Sequence, residues 1–283
     1  MIYYIILFLL PVISMFQSVA QKQYNLKSKQ PNAILFSAIT SLIALLFFVI
    51  TSGLKLSFTG ALIPYAVVFG VCYAVAWVGT VEAVRHGMIT LTNMIISCSL
   101  VIPTTYGIMR GEQITAVTAV GMGLLMIALV LVNLKFDDKC AFSMKWFIWV
   151  MIAMVTNGCC SVSQNMHKVV LGDGYSHEFM IIALSLSTVL LFGYSFLTQK
   201  DYKNEFRVCL PYTLLNGSVN AAMNLLIIIL IGNIPNIVLY PSFSALSMVM
   251  SFLLGFFIYK ERFTLYQYIG YVFGMASIVL LNL

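Results

Sequence analysis

The sequence predicts an all-α integral membrane protein of ten transmembrane helices, arranged as two inverted five-helix repeats. Three observations predict it. Hydrophobic residues make up 61% of the 283-residue chain and charged residues only 8%, against about 25% charged in soluble domains. Apolar runs of roughly 20 residues, enough to cross a hydrocarbon layer, recur along the whole chain. The second half repeats the first, and each half holds an odd number of runs.

The first run, 2–20, lacks a basic n-region and meets Lys22 at its end, so it reads as a first span rather than a cleaved leader. Charges and turn residues then delimit 33–52, 61–84, 88–109 and 115–134. The stretch 135–145, "KFDDKCAFSMK", is the most polar connector near the middle. Beyond it lie 146–166, 179–198, 209–231, 236–259 and 265–283. Backbone groups in lipid must be satisfied within their own segment, so these runs are expected to be helices. The chain divides into a first repeat (1–134), the connector (135–145) and a second repeat (146–283).

The duplication is read from three aligned pairs of spans. "GEQITAVTAVGMGLLMIALVLVNL" (111–134) lies over "KERFTLYQYIGYVFGMASIVLLNL" (260–283) without a gap. The matches include Glu112 with Glu261, Thr115 with Thr264 and Gly121 with Gly270. "LIPYAVVFGVCYAVAW" (62–77) lies over "CLPYTLLNGSVNAAMN" (209–224), matching Pro64 with Pro211, Tyr65 with Tyr212 and Gly70 with Gly217. The first and sixth spans match more weakly, through Ser18 with Ser161 and Gln21 with Gln164. Five spans per half make the second half enter the membrane upside down. Inverted repeats of that kind are common in secondary transporters, whose substrate sites lie near the midplane between repeats.

"RGEQIT" with Gly121, and "YKERFT" with Gly270, each set a Glu at the turn into the last helix of a half, before a glycine-containing span. In these residues, and in its five-plus-five organisation, the chain resembles the drug/metabolite transporter superfamily, in its ten-helix EamA-like branch. Relatives often carry a proline some thirteen residues before this Glu. Here Ser99 and Met248 stand there, and the prolines are Pro103 and Pro241. The resemblance implies a secondary transporter of small metabolites or drug-like solutes, often an exporter, without ATP hydrolysis. No Walker-type GxxxxGK[ST] occurs in the chain.

Candidate site residues come from one helix face. Asn216, Asn220 and Asn224 recur every four residues in the eighth span, stepping about 40° each time and forming one slanted stripe. The repeat alignment carries them onto Phe69, Tyr73 and Trp77 in the third span. Tyr73 and Asn220 lie about eleven residues into their spans, or ~16 Å, near the centre of a ~30 Å layer. The two stripes are expected to line a central cavity, rings holding a planar or apolar part of a substrate and amides its polar part. The alternative is that the amides bond to neighbouring helices as packing glue.

Acids are few. Glu82 is the only one well inside a predicted span, with Arg85 and His86 close by; it reads as an ion-paired interfacial residue or as a coupling-proton site. Glu112 and Glu261 stand at helix starts, where a carboxylate satisfies free amide donors and the positive dipole end. Inversion would set them on opposite faces, so no two-carboxylate enzyme site is expected. Gln21 and Gln164 read equally as gating or cap residues. His86, His167 and His177 lack Glu or Cys at ligand spacing, and the cysteines, including the vicinal pair Cys159 and Cys160, lack metal-ligand spacing. No metal or other cofactor is expected.

The net charge of +6 falls in short polar stretches between apolar runs, which points to topology and anionic lipid rather than nucleic acid. Lys and Arg crowd the loops after odd-numbered spans, and only Lys55, Arg110 and Lys168 mark the opposite face. The positive-inside rule then puts both termini outside, whereas the resemblance implies cytosolic termini. The expected partners are a small-molecule substrate and the bilayer of the cell membrane, with the chain a monomer or homodimer. A membrane-embedded lipid enzyme and a channel or structural protein are the competing classes.

Overall fold

The computed structural model describes residues 2–28, 32–53, 56–86, 92, 95–133, 143–198, 202–258, 260 and 263–282. Glu261 and most of the connector 135–145 lie outside them. Six helices are long and apolar enough to cross a membrane: α1 (Ile2–Lys27), α2 (Ala33–Thr51), α3 (Ile63–His86), α6 (Met144–Leu171), α7 (Ser176–Thr198) and α8 (Tyr202–Leu230). Shorter apolar helices complete the fold: α4 (Ile95–Met109), α5 (Ala116–Asn133), α9 (Asn236–Leu253) and α10 (Leu265–Leu281). Among the described residues the only β-type pairing is an isolated bridge between Ile231 and Ile234.

The ends of these helices follow from local chemistry. Asn32 caps α2 by accepting from the Leu35 amide at 2.8 Å. Thr264 opens α10 in a reciprocal capping box with Gln267. Thr115 accepts from the Thr118 amide at 3.1 Å and so caps the start of α5. Gly172, at φ +72°, ends α6, and its amide reaches back to the Lys168 carbonyl. Helix α4 tightens into a 3-10 turn at Cys98–Leu100. Pro103 explains it: proline has no amide for the carbonyl four residues back, which belongs to Ser99. Helices α1 and α8 run seven residues beyond the apolar cores read from the sequence, α1 at its end and α8 at its start.

The helices pack in a consistent order. Helix α3 lies against α6 and α7, while α8 lies against α1 and α2. Helix α4 meets α6, and α9 meets α1. Three further crossings join α2 to α7, α4 to α9 and α5 to α10. Several crossings are close enough to require glycine. A Cβ on Gly70 would sit 2.5 Å from the Ala183 carbonyl oxygen of α7, and one on Gly217 would sit 2.8 Å from that of Thr40 in α2. At the α5–α10 crossing, a Cβ on Gly121 would meet Leu280 at 3.1 Å, and one on Gly270 would meet the Ala128 carbonyl at 3.0 Å.

The largest buried cluster surrounds Phe48, Phe69, Phe179 and Met180, where α2, α3 and α7 meet. Outside the bundle the surface is apolar: Phe8, Ile50, Val189, Leu197 and Val272 are all exposed. Apolar exposure on this scale is costly in water and natural in lipid.

Candidate functional site

Between α3, α4, α6, α8 and α9 lies a cavity of about 390 Å³, within the size range of small-molecule sites. The i to i+4 spacing on α3 directs Phe69 and Tyr73 into it, their rings stacked at 5.8 Å and 17°. Phe69 is fixed from behind by Phe179, edge-on at 5.5 Å. Facing them on α8 are Asn220 and Asn224. The two stripes meet directly, because the Tyr73 hydroxyl donates to Asn220 Oδ1 at 3.4 Å.

An amide ladder braces the polar wall. Gln164 Nε2 on α6 donates to Asn224 Oδ1 at 2.9 Å. Asn224 Nδ2 donates in turn to the Asn220 carbonyl at 2.9 Å and to Asn220 Oδ1 at 3.1 Å. With Tyr73 also donating there, Asn220 Oδ1 has both lone pairs engaged. Asn220 Nδ2 and Gln164 Oε1 keep no hydrogen-bond partner among the described residues and remain available to whatever fills the cavity. On the α4 side, Asn157 Nδ2 donates to Ser99 Oγ at 3.0 Å.

Two of the six expected stripe residues lie elsewhere. Asn216 is buried and donates to the Gln17 carbonyl of α1 at 3.2 Å, the packing role offered as the alternative. Trp77 touches Tyr73 ring edge to face at 6.4 Å but packs on Ala38, Ala74 and Leu191, outside the cavity wall.

Sequence reasoning left out Asn157, Tyr240 and the serines of α4, α6 and α9 that also line the cavity. It mentioned Gln164 without preferring a role. A periodic signal was there to be read: Asn157, Ser161 and Gln164 on α6, and Tyr240, Ser244 and Ser247 on α9, each follow i, i+4, i+7 spacing. Tyr240 is the inner end of a further network. Asn165 Nδ2 bonds the Tyr240 hydroxyl at 3.0 Å and Asn236 Oδ1 at 2.6 Å. Asn236 Nδ2 then donates to Glu112 Oε1 at 2.7 Å.

Glu112 therefore serves a helix start, but not the one that follows it in sequence. Thr115 already caps α5. The Glu112 carboxylate crosses to α9, where Oε2 also accepts from the Ile237 amide at 2.9 Å. Gly107 leaves room for it, since a Cβ there would lie 2.6 Å from Oε2. Glu82 stands away from the cavity and accepts from the Tyr194 hydroxyl of α7 at 3.1 Å. His86 Nδ1 lies 2.8 Å from the Glu82 carbonyl; the Arg85 side chain is outside the described residues. No cluster of His, Cys, Asp or Glu suited to a metal occurs among the described residues.

No protein-family model matches this chain, and no curated protein matches it either. Its fold is similar to that of a solved crystal structure, with a TM-score of 0.78 over 99% of this chain and 98% of that one. The two are 13% identical, so the likeness is one of fold alone.

Proposed function

We propose that this chain is a secondary transporter of a small organic solute, with ten spanning helices in two inverted five-helix repeats. It resides in the cell membrane as a multi-pass protein and works by alternating access. Export is the direction implied by the resemblance to the drug/metabolite transporter superfamily. Glu82 is assigned to the interfacial hydrogen bond with Tyr194, outside the substrate path.

The packing order supports the inverted repeat. Contact of α3 with α6 is answered by α8 with α1, α3 with α7 by α8 with α2, and α4 with α6 by α9 with α1. Gly70 and Gly217, equivalent in the repeat alignment, each admit a backbone carbonyl at equivalent crossings. Thr115 and Thr264 each cap the last helix of their half.

The observation that carries alternating access is the one-sidedness of the cavity. In inverted repeats α3 and α8 run in opposite directions. Phe69, early in α3, is then level with Asn224, late in α8; Tyr73 is level with Asn220, and Trp77 with Asn216. The cavity takes the first two levels and omits the third. Of its other walls, α6 contributes 157–164 from its latter half, and α9 contributes 240–247 from about its middle. A cavity reaching from the midplane toward one face, in a scaffold with two equivalent halves, is one end state of a two-state carrier. Its lining of amides, hydroxyls and rings suits binding better than acid–base chemistry.

Reconstituted vesicles test the proposal. A carrier gives saturable flux and counter-exchange of a bound solute. Flux that rises linearly with concentration, without counter-exchange, would assign the protein to the channels.

A further inference from the structure

We infer that the cavity selects an uncharged, planar solute with a cyclic-amide edge, of the nucleobase type, and rejects ions of similar size. This rests on the transporter reading above and adds the chemical class of the cargo.

The first ground is charge. None of the described residues lining the cavity is Asp, Glu, Lys, Arg or His. The nearest carboxylate in the bonded network, Glu112, reaches the wall only through Asn236, Asn165 and Tyr240, and both its oxygens are engaged at the start of α9. A net charge at membrane depth must be paired or stay hydrated, and this wall offers it no counter-charge.

The second ground is the pattern of vacant hydrogen-bonding atoms. Asn220 Nδ2 offers two N–H donors, because its Oδ1 is saturated by Tyr73 and Asn224. Gln164 has given one N–H to Asn224 and keeps its other N–H and its Oε1. The ladder from Gln164 through Asn224 to Asn220 holds these atoms on one wall. Together they present three N–H donors and one carbonyl acceptor, the complement of the C=O and N–H groups along one ring edge. A solute without that edge leaves buried polar groups unpaired, the arrangement under which sites discriminate most strongly.

The third ground is shape. Stacked Phe69 and Tyr73 supply an aromatic wall, and Phe243 and Tyr240 approach from α9. At ~30 Å³ per water-sized group, the cavity has room for about a dozen such groups. A heterocycle with a modest substituent fits that space.

Two matched probe pairs test the inference on the purified full-length protein. Uracil is compared with 1,3-dimethyluracil, which keeps the ring and blocks both N–H groups. Nicotinamide is compared with nicotinate, which differs mainly in carrying a charge. Binding is read by thermal stabilisation and by quenching of intrinsic fluorescence. Uracil is expected to bind at least tenfold more tightly than its dimethyl form, and nicotinamide at least tenfold more tightly than nicotinate. Asn220→Ala and Gln164→Ala should each flatten the uracil ratio and leave the nicotinamide preference, which rests on the uncharged wall. Asn216→Ala, off the wall, should leave both ratios unchanged and serves as the folding control. Equal binding within either pair, preference for the anion, or binding of neither neutral probe overturns the inference. Saturable counter-exchange of charged solutes alone would overturn it while leaving the transporter reading intact. Selective binding of the neutral probes without flux would do the reverse.

Discussion

Removing the Glu112 carboxylate should destabilise α9, which it caps from a different half of the chain. In Glu112→Ala the Asn236 side-chain amide and the Ile237 backbone amide both lose their acceptor. Hydrogen bonds to a charged group contribute about 1.5–3 kcal/mol each, and a helix-start acceptor about 1 kcal/mol. These overlap, and Glu112 is half-exposed, so roughly 2 kcal/mol is the expected loss. Glu112→Gln keeps one acceptor and loses the charge, and about 1 kcal/mol is expected. On the scale of 150–250-residue domains, 2 kcal/mol lowers Tm by roughly 4–8 °C. Thermal unfolding in one detergent, wild type against both variants, reads the difference. An unchanged Tm in Glu112→Ala, or a larger fall in Glu112→Gln than in Glu112→Ala, would refute the capping argument.

Other substitutions separate packing from binding. Asn216→Leu removes the bond to the Gln17 carbonyl and should cost about 0.6 kcal/mol of stability, read by thermal unfolding, with solute binding in the cavity preserved. Asn220→Leu faces the cavity, and its flux in vesicles should fall at least tenfold at similar folded yield. Gly70→Leu and Gly217→Leu each push side chain into a neighbouring carbonyl at equivalent crossings. Both should lower thermal stability by about 1–3 kcal/mol, and a large effect at one with none at the other would count against the repeat. Thr264→Ala should cost about 1 kcal/mol as a lost cap, read in the same thermal assay.

The helical fold was legible because lipid leaves so few options: long apolar runs with satisfied backbones become helices, and most boundaries differ by a few residues. The larger differences are at the end of α1 and the start of α8, where polar residues continue the helix beyond the apolar run. Hydropathy cannot register that extension. The cavity was legible where its chemistry repeats along one helix face, as for Phe69 and Tyr73 or Asn220 and Asn224. Asn157 with Ser161 and Gln164, and Tyr240 with Ser244 and Ser247, also follow one helix face each. Small hydroxyl residues, however, pack between helices as readily as they line a cavity, so only the tertiary packing marks them as wall. Nor could sequence reveal that Glu112 serves α9, since Asn236 is 124 residues away. Trp77 and Asn216 left the site for another reason. A repeat alignment treats both ends of a stripe alike, whereas under the proposed alternating access a single conformation opens only one.

That asymmetry is the central claim, and cysteine accessibility reads it most directly. With native cysteines replaced, Cys160 of the cavity wall among them, Asn224→Cys and Asn216→Cys are labelled in oriented vesicles by a membrane-impermeant maleimide. The account predicts that Asn224→Cys reacts from one face only, and that Asn216→Cys becomes reactive from the opposite face during turnover as Asn224→Cys is protected. Labelling of both positions from the same face, or rates untouched by transported solute, would contradict it.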